Sequence, residues 1–297
     1  MEVIKIGKIN PKALEKEIEV QLFEHVMHMA NNNRNNFACI KRLDYLLEFI
    51  SKNNQSILQK YIKNLEILYD KLATREFINS NDSSISKILK ESETLREHPD
   101  LVKNILNFSI QLLNLSNEIN NLNDKQKVTQ NNYMRSFLIP NYYYLQVLIQ
   151  TIGREKAIGL FKEYISKFLD DNKVSTETTF TTLEDRFEVI KKNVNNPSDW
   201  VIIYGMISKG KLLFRNENCL WIDVLKELPD NEIKYCICCY GDYQTARTYR
   251  NEHIVLTMEH TIAQRDQYCS RVLHDTRVDW NLKHPPKEFW DNIESDK

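Results

Sequence analysis

Trp200-Val201-Ile202-Ile203-Tyr204-Gly205-Met206-Ile207, then Ser208-Lys209-Gly210, then Lys211-Leu212-Leu213-Phe214 is the stretch on which the fold turns. Two β-branched and aromatic runs separated by a short Gly-containing turn predict a β-hairpin. N-terminal to it, from about residue 10 to 195, the apolar period is helical. Asn10-Pro11 reads as an N-cap and first helical residue, with Leu14, Ile18, Leu22 and Val26 following at i+4. Further stripes run through Phe37, Ile40, Leu43, Leu47 and Ile50, through Ile57, Tyr61, Leu65, Leu68 and Leu72, and through Leu101, Ile105, Phe108, Leu112, Leu115 and Ile119. Helices are also expected over Tyr142–Thr151 and Arg154–Leu169, and after a Thr181-x-x-Glu184 capping box.

C-terminal to the hairpin, Leu220–Glu227 reads as a short helix and Gly241–Thr248 as another, with strands over Ile233–Tyr240, His253–Met258 and Gln267–Leu273. Helices followed by a mainly antiparallel sheet make an α+β fold. The polar stretch Asn123–Asn132 lacks periodicity and is read as a linker. The expected division is therefore a helical domain over residues 1–125, an α+β domain over 130–280, and a charged tail over 281–297 that frays.

Composition narrows the function. Forty basic against 41 acidic residues leave a net charge of -1, which argues against a nucleic-acid binder. No apolar run reaches the roughly 18 residues of a membrane span. Met1-Glu2-Val3-Ile4-Lys5 does not read as an export signal, so a cytoplasmic place and reduced thiols are expected. Only 6 Gly disfavour a Gly-rich phosphate cradle. The expected partner is a small molecule, and association into a homo-oligomer is left open.

Cysteine is the informative residue. Cys39 stands apart, whereas Cys219, Cys236, Cys238, Cys239 and Cys269 gather late in the chain. In a strand, Cys236 and Cys238 would share one face and Cys239 the other. Cys239-x-x-Asp242 falls where that strand would give way to a helix. A thiol facing a helix N-terminus would be acidified, and Asp242, set after Gly241 in a tight turn, would either cap the helix or move a proton. Zinc on Cys219, Cys239, Cys269 and one of His253, His260 or His274 would need wide spacings of little specificity, so no metal or other cofactor is expected. There is no Gly-x-Ser-x-Gly elbow, and Glu259-His260 is only half of a zincin motif.

Residues 133–275 resemble the L-2-amino-thiazoline-4-carboxylic acid hydrolase family. The lead-in is Ile152-Gly153-Arg154-Glu155-Lys156-Ala157, and an isolated Cys219 precedes a short helix. Cys239-Tyr240-Gly241-Asp242 stands before a helix with Ala246, and Thr261 is followed by Asp266-Gln267-Tyr268-Cys269. Arg265 stands where the family usually shows Gly, and Cys269-Ser270-Arg271 where Cys-Asp-Phe is usual. The resemblance implies a hydrolase opening a C–N or C–S bond of a cysteine-derived or amidine-like ring. It implies Cys239, Asp242 and Cys269 as catalytic residues, with Arg265, Arg271, Thr261 and Cys219 binding substrate. Two alternatives stand beside it. One is a small-ligand sensor or accessory domain without catalysis, because the cysteine placement is also distantly similar to vinyl-4-reductase-type domains. The other is an enzyme of different outcome on the same scaffold, as in natural-product biosynthesis.

Overall fold

Residues 1–21, 39–78, 83–115, 125–172, 181–248 and 252–293 are described by the computed structural model. Its first strand, β1 (Val3–Ile6), has no counterpart in the sequence reading. The helix expected from Asn10 is not formed. Ala13–Glu15 make one 3₁₀ turn, and Glu17–Gln21 form strand β2. The run Glu17-Ile18-Glu19-Val20-Gln21 alternates with period two, and its partner is β3 (Lys125–Thr129), with Ile18 opposite Val128. Leu22 and Val26 lie outside the described residues. Most of the stretch read as a linker is thus ordered: 125–129 pair in a ladder, and the Thr129 side chain caps the next helix by accepting the Asn132 N–H at 3.2 Å.

Two compact units result, Leu14–Tyr164 and Met1–Ala13 with Ile165–Lys297. The first is helical: α1 (Cys39–Asn53), α2 (Gln55–Leu72), α3 (Ser83–Glu91), α4 (Pro99–Leu113), α5 (Gln130–Ile152) and the start of α6 (Arg154–Asp171). Ile40, Leu43, Leu47 and Ile50 are buried as their spacing predicts, and Phe37 lies outside the described residues. In α2 the Asn54 cap sets a slightly rotated face, burying Leu58, Tyr61, Ile62, Leu65 and Tyr69 and leaving Ile57, Leu68 and Leu72 partly exposed. Helix α4 stops at Leu113 because Asn114 turns left-handed at φ 54°. Leu115 therefore falls beyond the helix, and Ile119 lies outside the described residues.

The second unit carries the sheet. Helix α7 (Leu183–Lys192) is capped by Thr182, whose side chain accepts the Asp185 N–H, so the cap sits one residue beyond Thr181. The hairpin forms as β4 (Ile202–Ser208) and β5 (Lys211–Asn216), turning through Gly210 at φ +69°. Helix α8 (Leu220–Val224) follows.

The next element corrects the sequence reading. Residues 231–238 are helix α9 (Asn231–Cys238) and not a strand. Asp230 caps it by accepting the N–H groups of Glu232 and Ile233. Ile233, Cys236 and Ile237 then recur at i, i+3 and i+4 on a buried face, a period that the cysteine-dense composition masked. After α10 (Gly241–Thr248) come β6 (Ile254–Met258), β7 (Cys269–Asp275) and α11 (Lys287–Asp291). The five-stranded sheet has order β1-β4-β5-β7-β6, antiparallel throughout.

One face of the sheet buries Val3, Ile203, Leu213 and Val272 beneath Trp290 of α11, and the other buries Leu212, Leu256 and Leu273 with Leu183 and Phe187 of α7. The tail expected to fray is therefore anchored. Trp290 is fully buried and its indole N–H donates to the Pro285 carbonyl at 3.0 Å; residues 294–297 lie outside the described residues.

Candidate active site

The register of the sheet lays out the site. Cys269 stands opposite Asn216, Arg271 opposite both Phe214 and Met258, and Leu273 opposite both Leu212 and Leu256. Cross-strand partners project to one face, so this face shows Asn216 and Cys269, then Phe214 and Arg271, then Leu256. Trp200 lies two residues before Ile202, the partner of Asn216, at the Cys269 end of these rows. Helices α8, α9 and α10 supply the remaining wall. Together they enclose a cavity of about 250 Å³ lined by Trp200, Phe214, Asn216, Asn218, Cys219, Trp221, Cys238, Cys239, Asp242, Thr245, Leu256, Cys269 and Arg271.

Five of the seven residues singled out from sequence meet here: Cys219, Cys239, Asp242, Cys269 and Arg271. Thr261 and Arg265 do not line the cavity. Thr261 is buried and caps a 3₁₀ turn, its hydroxyl accepting the Gln264 N–H at 3.3 Å. Arg265 ends that turn, exposed and left-handed at φ 76°. A glycine would hold that conformation without strain, which explains the residue the family shows there.

Charge in the cavity centres on one ion pair. Arg271 is 8% exposed; its Nε donates to Asp242 Oδ2 at 3.1 Å, and its Nη2 lies 2.9 Å from the same oxygen as an ion pair. Its Nη1 donates to Asn216 Oδ1 at 2.6 Å, and the guanidinium lies 5.6 Å from the Phe214 ring centroid. Burial works against the Arg271 charge, but Asp242 and the sulfurs of Cys269, Cys239 and Cys219 outweigh it, and its pKa is raised. Among the described residues no backbone N–H donates to the Asp242 side chain, which stands inside α10 and does not cap it. Nor does Gly241 make a left-handed turn. Its use is contact, since an added Cβ would lie 3.2 Å from the Leu169 side chain.

The thiols depart from expectation. Cys239 sits at the C-terminal cap of α9, not at a strand end facing a helix N-terminus. Burial, reinforced by Cys238 and only partly offset by Arg271, pushes its pKa well above the ordinary thiol range. Burial likewise pushes Cys219 up to about 12, against the lowering effect of the Ile222 N–H. Both are protonated thiols at neutral pH. Cys269 Sγ receives the Ile262 N–H at 3.3 Å. Cys236 is fully buried and outside the cavity lining. No group of three or more His, Cys, Asp or Glu side chains is arranged to hold a metal ion among the described residues.

The reverse face of β7 carries a second polar system. Asp279 Oδ2 lies 2.6 Å from His274 Nδ1, and His274 Nε2 lies 2.8 Å from Thr257 Oγ1. Thr257 Oγ1 is 2.8 Å from His284 Nδ1, and His284 Nε2 is 3.1 Å from Ser270 Oγ, which accepts the His260 N–H. The bonds are mutually consistent when both imidazoles are neutral, with Nδ1 protonated and Nε2 accepting. Ser270, between Cys269 and Arg271, is thereby tied to the segment that leads into α11.

The aromatic and amide lining was not anticipated. Its signal was phase: Asn216 and Phe214 alternate in step on β5, and Trp221 stands two residues after Cys219.

Residues 130–272 match the model of the L-2-amino-thiazoline-4-carboxylic acid hydrolase family, from the first residue of α5 into β7. The resemblance read from residues 133–275 is borne out by this match, which is to a small-molecule hydrolase family. No curated protein and no solved structure matches the chain significantly. No described helix is long and apolar enough to cross a membrane.

Proposed function

We propose that the cavity hydrolyses a C–N or C–S bond in a small zwitterionic, amidine-like ring such as a 2-aminothiazoline carboxylate. The observation that carries this reading is the Asp242–Arg271 pair, 2.9 Å apart at its closest, inside a cavity lined with cysteines. Such a substrate presents a cationic amidine and an anionic carboxylate, and a carboxylate beside a guanidinium offers a partner to each. Both Arg271 contacts fall on Asp242 Oδ2, so Oδ1 is uncommitted to the guanidinium and serves as the base for water. Of the five Arg271 N–H donors, two are used in hydrogen bonds within the protein, and the remaining Nη donors take the substrate carboxylate.

Asp242 removes a proton as water adds to the carbon between ring nitrogen and sulfur. A C–O bond forms, the ring C–N or C–S bond breaks, and the departing atom takes a proton. Asp242, protonated by that step, delivers the proton, and the remaining hydroxyl proton of the added water leaves to solvent as the carbonyl forms. The products are a carbamoyl group and a free amine or thiol, with one water consumed and no change of oxidation state. A reducing cytoplasm suits a cavity of this kind. The test is incubation with 2-aminothiazoline-4-carboxylate, with the product followed by mass. A species heavier by one water supports the reading, and unchanged substrate under conditions where it binds refutes hydrolysis.

A further inference from the structure

The cavity wall includes Trp200, Phe214, Trp221 and Leu256, hydrocarbon that a compact zwitterion does not need. Trp200 and Trp221 stand edge to face, centroids 5.8 Å apart at 83°, and both line the cavity while remaining partly exposed. The strand register puts Trp200 at the Cys269 end, one row beyond Asn216 and two beyond Arg271. The indoles are thus separated from the ion pair along the strand direction, with Cys269 in the row between.

The position of Trp200 is built in. Its backbone N–H donates to Ser198 Oγ at 3.1 Å, and that hydroxyl donates to the Trp200 carbonyl at 3.0 Å. The same carbonyl abuts Gly7, held at φ +81°, where any side chain would collide with it. Trp221, in the first turn of α8, meets the Trp200 ring and so lies at the same end of the cavity. Asn218 bonds the Val201 N–H at 2.8 Å, next to Trp200. Two indoles in edge-to-face contact at the far end of a polar site form a place for a flat apolar group.

Resting on the proposed ring-opening reading, we infer that the substrate is an aryl- or heteroaryl-substituted cyclic amidine, its flat substituent packed against Trp200 and Trp221 while its polar ring meets Asp242 and Arg271. The indoles set substrate choice and take no part in bond breaking. A bare aminothiazoline carboxylate leaves that end of the cavity to water.

The test uses two thiazoles that cannot be hydrolysed, 2-aminothiazole-4-carboxylate and its 5-phenyl derivative, titrated calorimetrically into the full-length protein. The phenyl compound is expected to bind about tenfold more tightly, the scale of one aromatic contact with its buried area. Trp221→Ala should reduce that advantage to about twofold or less with the unsubstituted compound unaffected, and Trp200→Phe, which retains a ring, should keep most of it. Equal affinities in the wild-type protein overturn the aromatic subsite, and this comparison needs no variant to fold. So does a Trp221→Ala protein that weakens both compounds alike. If neither thiazole binds, the amidine reading itself fails. If the phenyl compound binds tightly but neither corresponding thiazoline is turned over, the hydrolytic reading fails while the subsite stands.

Discussion

Asp242 and Arg271 are bound through one oxygen: Arg271 Nε donates to Asp242 Oδ2 and Nη2 lies 2.9 Å from the same atom, joining the first turn of α10 to the middle of β7. Asn216 takes Nη1, so three nitrogens of one guanidinium are fixed by two side chains. Lysine offers a point charge in place of this planar fork. Arg271→Lys is therefore expected to lose at least tenfold in activity and about 1–3 kcal/mol of stability, less than a fully buried pair because Asp242 is 41% exposed. Urea denaturation and a steady-state assay measure the two losses, and wild-type values in both would show that the fork is dispensable.

The thiols should differ in kind. Cys219 is the partly exposed cysteine of the cavity, and its pKa is pushed up to about 12, burial being the chief cause. Its alkylation by iodoacetamide should rise about tenfold per pH unit from pH 7 to 9 with no plateau, as thiolate becomes available. Cys236, fully buried away from the cavity, should label last. Peptide mapping by mass spectrometry gives both rates. A plateau for Cys219 near pH 7, or early labelling of Cys236, contradicts the assigned environments.

The His274–Thr257–His284 chain makes stability depend on pH. Burial is the first cause lowering both imidazoles; the charges of His274, His260 and Lys211 add to it at His284, which falls to about 4, and Lys211 adds to it at His274 against Asp279. Unfolded imidazoles protonate near pH 6.5. Between about 6.5 and 4 the unfolded chain thus binds more protons than the folded one, and stability falls as the pH is lowered through that window. Urea midpoints at several pH values for wild type and His284→Gln separate this effect from that of the carboxylates. The variant should show the shallower slope, and parallel slopes would sink the assignment.

Trp290 fixes the C-terminal segment. It is fully buried, packs in the cluster with Val272 and Leu213, and stacks on His284 at 5.2 Å. Trp290→Ala should cost about 3–5 kcal/mol of stability. A loss under 1 kcal/mol in denaturant unfolding would mean that the segment frays after all.

The sheet was legible where side chains alternate around a turn residue: 202–216 and 254–258 read directly as strands, and Gly210 marked the turn. It was illegible where composition hid the period. Cys236, Cys238 and Cys239 made 233–240 look uniformly apolar, and the helix start at Asp230, directly after Pro229, went unread. Strands β1, β2 and β3 are short, and their partners lie more than 100 residues away, a distance local pattern cannot bridge. The site was legible as residue types, since five of the seven chosen residues meet in one cavity. Its geometry was not. Arg271 and Asp242 are 29 residues apart in sequence, and only the fold pairs them. The acidified Cys239 depended on the strand that is absent.

The central claim is that Asp242 activates water in this cavity. The most direct measurement is turnover of 2-aminothiazoline-4-carboxylate in ¹⁸O-labelled water by wild type and Asp242→Asn. Asn keeps the shape and its oxygen can still accept from Arg271, but its amide cannot take the proton. The account predicts one labelled oxygen in the wild-type product and a rate about two to four orders of magnitude lower for Asp242→Asn, with the fold intact by circular dichroism. Labelled product formed by Asp242→Asn at the wild-type rate would contradict it.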